Sequence, residues 1–132
     1  MDIKLYNTMQ VMNQKGFSGG NENYNSVMQL VTINKHKVFL PGDSYSGTIM
    51  QRIVNTIGNV DVMKLPHHGY GACSMDSKKA NQLSPKYIIV TNAKISACRK
   101  HFNSNIPTYY TKASSKKAIV VDLTDKNIKI SA

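Results

Sequence analysis

A mixed α/β fold, with one mixed sheet and its helices on one face, is what this sequence predicts, and three observations carry that expectation. Short β-rich apolar runs alternate with stretches whose apolar residues recur at helical spacing. The last quarter of the chain holds only short strand-like runs. A length of 132 residues suits one domain with a real core.

The elements follow in order. Ile3 to Asn7 reads as a short strand. Residues 13–26 carry Gly16, Gly19, Gly20 and four asparagines without a hydrophobic period, the composition of a loop. Val27 to Ile33 and Val38 to Leu40 flank the polar stretch Asn34-Lys35-His36-Lys37, which predicts a hairpin. Ile49, Met50, Ile53, Val54 and Ile57 then fall on one helical face, with Ser44 or Ser46 as the starting cap and Gly58 as the stop. Val60 to Leu65 is a strand, Asp76 to Leu83 a helix, and Tyr87 to Thr91 a buried strand. A weak helix is expected over Ala97 to Phe102, and three short strands over Thr108–Tyr110, Ala118–Leu123 and Asn127–Ile130. No repeat and no linker divides the chain.

Composition narrows the function classes. No apolar run approaches the roughly 20 residues that span a membrane, and no secretory signal follows Met1-Asp2-Ile3-Lys4. The net charge is +10, yet of the 17 basic residues only Arg52 and Arg99 are arginine, and the lysines are scattered. Such a surface is either a solvated lysine-rich one or a field that attracts an anionic substrate or polymer. Nothing resembles a helix-turn-helix, an aromatic-plus-basic strand signature or a zinc knuckle. Tyr109-Tyr110, near Lys112, Lys116 and Lys117, fits strand packing better than base stacking. Cys73 and Cys98 lack the spacing of a zinc pattern and are expected to be reduced, partly buried thiols, with a metal role for Cys73 as the alternative.

Two segments carry chemistry. In Phe39-Leu40-Pro41-Gly42-Asp43-Ser44 a carboxylate sits where a strand ends and a helix is about to begin, the place where α/β proteins put functional groups. The plainer use of Asp43 is as a helix cap. In Asp61-Val62-Met63-Lys64-Leu65-Pro66-His67-His68-Gly69 two adjacent histidines close a strand. Neutral imidazole is the commonest protein metal ligand, and Asp43 with a histidine on the neighbouring strand end could share a metal. His36 and His101 have no histidine two residues away and are expected to be ordinary surface residues.

The order Asn25-Ser26-Val27, hairpin, Leu40-Pro41-Gly42-Asp43, helix, Asp61 to Gly69, and then Leu83-Ser84-Pro85-Lys86-Tyr87-Ile88-Ile89-Val90-Thr91 resembles the later half of metallo-β-lactamase-fold hydrolases. It is most similar to the hydrolase-like domain of bacterial DNA-uptake competence proteins and to surface choline-phosphate esterases. The resemblance covers residues 1–95 and, loosely, the tail. It implies one half of an αββα sandwich. It also implies that Asp43 bridges two metal ions and that one histidine of the pair, His68 in preference to His67, completes the second metal's shell. Asp43 and His68 would then be the catalytic residues. The implied metals are usually zinc, sometimes manganese or iron, in a two-metal site that activates water against a phosphoester or phosphodiester. Bacterial origin is implied, with the cytoplasm as the default location and the cell surface as the alternative for a fragment of a longer protein.

The family's His-x-His-x-Asp-His cluster has no counterpart in the chain. A catalytic zinc normally keeps three protein ligands, so this chain by itself should bind metal weakly or hold none, and should hydrolyse little. The expected partners are a missing N-terminal half or a second copy across the bare sheet face. The competing expectation is a non-catalytic half-domain for assembly, or for binding an anionic polymer or nucleic acid.

Overall fold

The computed structural model describes residues 1–6, 26–44, 46–116 and 118–132. The expected loop over 13–26, apart from Ser26, lies outside these residues, as does Asn7. Among the described residues, eight strands fall into two sheets. Strands β1 (Asp2–Tyr6), β2 (Met28–Ile33), β3 (His36–Leu40), β4 (Val62–Lys64), β5 (Tyr87–Val90) and β6 (Thr108–Tyr110) form a six-stranded sheet in that order. Strands β7 (Val120–Asp122) and β8 (Lys129–Ser131) form a separate antiparallel pair. Helix α1 (Gly47–Ile57) joins β3 to β4, and α2 (Ser77–Leu83) joins β4 to β5. The fold is of the mixed α/β class that the sequence predicts.

The first three strands pair antiparallel and the last four parallel, so β3 is where the sheet changes character. The β2–β3 turn is tighter than the four-residue polar stretch suggests. Asn34 and Lys35 alone make it, with φ of 49° and 67°, the positive values that a two-residue primed hairpin demands. His36 is therefore the first residue of β3, paired with Ile33, and is not an exposed turn residue. It is buried, and its Nε2–H donates to the Asp125 carbonyl at 2.7 Å. Asn34 Nδ2 donates to the Leu123 and Thr124 carbonyls at 2.9 and 3.1 Å, so the segment between β7 and β8 is tied to this hairpin.

From β3 onward each parallel connection must cross over the sheet. Crossovers of one hand along β3-β4-β5 put α1 and α2 on the same face. The two helices touch through a polar clasp: Gln51 Nε2 donates to Gln82 Oε1 at 2.7 Å, and Gln82 Nε2 to Asn55 Oδ1 at 2.9 Å. The face beneath them is the core. Leu30, Phe39, Met63 and Ile88 stand in register on four adjacent strands and are all buried. Met50, Ile53, Val54 and Ile57 of α1 and Leu83 of α2 close over that row, as the helical spacing predicts. The opposite face is less covered: in the row Val31, Val38, Val62 and Tyr87 only Val62 is fully buried. No helix among the described residues is long and apolar enough to cross a membrane.

Capping follows the sequence closely. Of the two serines considered, Ser46 starts α1, accepting from Ile49 N–H at 3.2 Å, and Gly58 ends it at φ 66°. Asp76 caps α2 with Oδ1 accepting from Lys79 N–H at 2.9 Å, while Oδ2 pairs with Lys79 Nζ at 2.6 Å. The Lys79 side-chain hydrogen bond first, and its backbone N–H next, hold the Asp76 carboxyl below its ordinary value of 3.8. A carboxyl lowered on folding stabilises the fold above its unfolded pKa, and that contribution is lost as pH falls through the folded one. As the N-cap of α2, Asp76 replaced by alanine (Asp76→Ala) is expected to cost about 1 kcal/mol near neutral pH. The gap between variant and wild type should close as urea melts are taken below the ordinary carboxylate range. A gap unchanged in acid would show that the charge at Asp76 contributes nothing. The helix expected over Ala97–Phe102 shortens to one 3₁₀ turn at Arg99–His101, the strand expected over Ala118–Leu123 is trimmed to β7, and the one expected over Asn127–Ile130 is shifted towards the C-terminus as β8.

Candidate metal-ligand site

Three parallel strands end side by side, and their next residues make the site. Asp43 follows β3, His67 and His68 follow β4, and Thr91 follows β5. Asp43 Oδ1 lies 3.3 Å from His68 Nε2, with both side chains about two-fifths exposed, at 39% and 43%. Of the two histidines, it is His68 that meets Asp43. His67 turns its ring to other partners: Nδ1–H donates to the Ala72 carbonyl at 2.8 Å, and the ring stands edge-on to Tyr70 at 5.7 Å.

The backbone that makes this possible is unusual. His67 and His68 have φ/ψ of 50°/43° and 55°/24°, two consecutive non-glycine residues in the left-handed region. Each costs roughly 1–2 kcal/mol relative to right-handed backbone. Such conformations persist where surroundings over-determine them, and they cluster at functional sites. The surroundings are present here. His67 N–H donates to the Gly42 carbonyl at 3.1 Å, which ties the histidine loop to the Asp43 loop. Asn92 Nδ2 donates to the His68 carbonyl at 3.1 Å. Cys98 N–H donates to the Gly69 carbonyl at 3.1 Å. Gly69, at φ 78°, suits glycine: a Cβ there would press on Val90 Cγ1 at 3.0 Å and Ile95 Cγ2 at 3.1 Å and make those side chains give way. Gly42, at φ 65°, gives the same freedom just before Asp43.

Lys64, on β4, reaches back under the site. Its Nζ donates to the Gly42 carbonyl at 3.3 Å and to the Leu65 carbonyl at 3.0 Å. Burial pushes its pKa down, and the nearby Asp43 charge partly opposes that. Asp61, at the other end of β4, serves structure: Oδ2 accepts from Lys37 N–H at 2.7 Å, and Oδ1 pairs with Lys86 at 3.2 Å.

The cysteines correct the expectation of reduced thiols. Cys73 and Cys98, both fully buried, form a disulfide across 25 residues. Neither sulfur is then a thiolate, so neither is a metal ligand in this state. The bridge joins the segment after the histidine loop to the one after β5. Ser74 extends it towards the Asp43 loop, its hydroxyl donating to the Ser44 carbonyl at 3.2 Å. Sequence spacing gave no sign of the pair because the two segments meet only once β4 and β5 lie together.

The donors brought together are therefore Asp43 and His68. Among the described residues no group of three or more His, Cys, Asp and Glu side chains is gathered where a metal could sit. Two donors do not by themselves suit a catalytic zinc, which normally has three from the protein. Thr91 and Asn92 were absent from the residues singled out in the sequence. The signal that could have found them is positional: Thr91 directly follows the next parallel strand, at the same carboxyl edge as Asp43 and His68. In comparisons with models of known protein families and with curated proteins, the sequence matches none.

Proposed function

We propose that this chain is the metal-bridging part of a metal-dependent hydrolase of the metallo-β-lactamase fold, acting on a phosphoester or phosphodiester. The observation that supports this reading is the 3.3 Å approach of Asp43 Oδ1 to His68 Nε2, held by a strained and well-clamped backbone at a carboxyl edge of parallel strands. A carboxylate oxygen and an imidazole nitrogen at that separation need a proton or a cation between them. Zinc takes carboxylate and imidazole ligands alike, so both donor types fit it once further donors complete the set. Asp43 is the bridging ligand in this reading and His68 the terminal one. The missing donors come from an N-terminal half or a second copy seated on the less covered sheet face, so the chain alone is inactive.

Calorimetric titration with zinc tests the reading. Wild type is expected to bind weakly, and Asp43→Ala and His68→Ala to lose that binding by tenfold or more, the scale of a lost ligand or its support. Equal binding by all three proteins would sink it.

A second reading is a non-catalytic half-domain for assembly on an anionic polymer, favoured by the two-donor set and the net charge of +10. It requires binding to DNA or an acidic polymer that collapses with salt and is indifferent to Asp43→Ala.

A further inference from the structure

The Asp43–His68 contact leaves one ring nitrogen of His68 to account for. Its Nδ1 lies 2.8 Å from Thr91 Oγ1, on the side of the ring away from Asp43. The residue next to Thr91, Asn92, holds the backbone of the same histidine. Its Nδ2 donates to the His68 carbonyl at 3.1 Å, while its Oδ1 accepts from Ala93 N–H at 2.8 Å. One dipeptide at the end of β5 thus fixes His68 by ring and by main chain.

We propose that Thr91 is the positioning residue of this site: its hydroxyl holds the His68 ring with Nε2 towards Asp43 in either neutral tautomer. The choice of a hydroxyl is what matters chemically. A carbonyl or carboxylate at this place would only accept, and would lock the proton on Nδ1. A hydroxyl both donates and accepts. With no cation present, the proton belongs on Nε2, between the ring and the Asp43 carboxylate, and Thr91 O–H donates to bare Nδ1. If a cation took Nε2, the ring proton would sit on Nδ1 and Nδ1–H would donate to the Thr91 oxygen. His68 keeps a partner on Nδ1 in both states, so its ring need not turn over. The orienting partner of a ligating histidine sets its tautomer and strengthens it as a ligand. The cation-bound half of this inference rests on the proposed function; the positioning of the ring against Asp43 does not.

Nitrogen NMR of the histidine rings in the full chain is the test, using Thr91→Val and Thr91→Ser at a pH where His68 is neutral. In metal-free wild type His68 is expected as a single Nε2–H tautomer. Thr91→Ser should preserve it, and Thr91→Val should give mixed or exchange-broadened ring signals while amide signals elsewhere stay in place. With zinc as the probe, wild type should move to the Nδ1–H form. A Thr91→Val ring signal identical to wild type would overturn the proposal, and so would an Nδ1–H tautomer in the metal-free wild type. The second result is available even if Thr91→Val fails to fold. Indifference of the His68 nitrogens to zinc, with the metal-free results as expected, would support the positioning role while removing the metal reading.

Discussion

Replacing both Cys73 and Cys98 with serine is expected to destabilise the chain by about 3.5 kcal/mol, the chain-entropy value for a bridge closing a loop of this size. The bridge removes conformations from the unfolded chain, and it also fastens the segment that follows His67 and His68 to the one that carries the Gly69–Cys98 hydrogen bond. Two effects should therefore appear together. The urea midpoint should fall in the double variant, and in wild type under a dithiol reductant, to the same value. Hydrogen exchange should quicken at Gly69, Tyr70 and Cys98 before it does in the core row. Equal midpoints for oxidised wild type and the double variant would mean that the thiols are not joined.

Phe39→Ala is expected to cost about 3–5 kcal/mol, the usual range for emptying a core aromatic. Phe39 is fully buried at the centre of the row that runs from Leu30 to Ile88, beneath α1. Its strand delivers Asp43 four residues later, so the loss of packing bears on the site through β3. Asp43→Ala is the informative contrast. That side chain is about two-fifths exposed, at 39%, and its removal should shift stability by less than about 1 kcal/mol. A denaturation series on the two variants separates core from site. Similar losses in both would mean that Asp43 braces the fold.

Much of this architecture was legible because local pattern and global packing agree. The helical spacing of Ile49 to Ile57 named the residues that α1 buries, and Gly58 marked its end. The β-rich runs at 27–33, 60–65 and 87–91 contain β2, β4 and β5 with small changes at the ends. His36 was misread because a polar run of four looks like a turn, whereas two positive-φ residues suffice and the third begins a strand. Its burial depends on the segment near Asp125, remote in sequence.

The site divides in the same way. The sequence by itself determined the mixed α/β class and the face that α1 buries. It also determined the two segments, one ending in Asp43 and one in His67-His68-Gly69, whose residue types suit metal chemistry. Those are properties of composition and short-range order, which every chain carries before it folds. Only the tertiary structure decided that His68 and not His67 meets Asp43, because a left-handed backbone sets which ring points where and only surrounding hydrogen bonds make that backbone tolerable. Only the tertiary structure joined Cys73 to Cys98 and brought Thr91 to His68, since both depend on β4 and β5 lying side by side and ending at one edge.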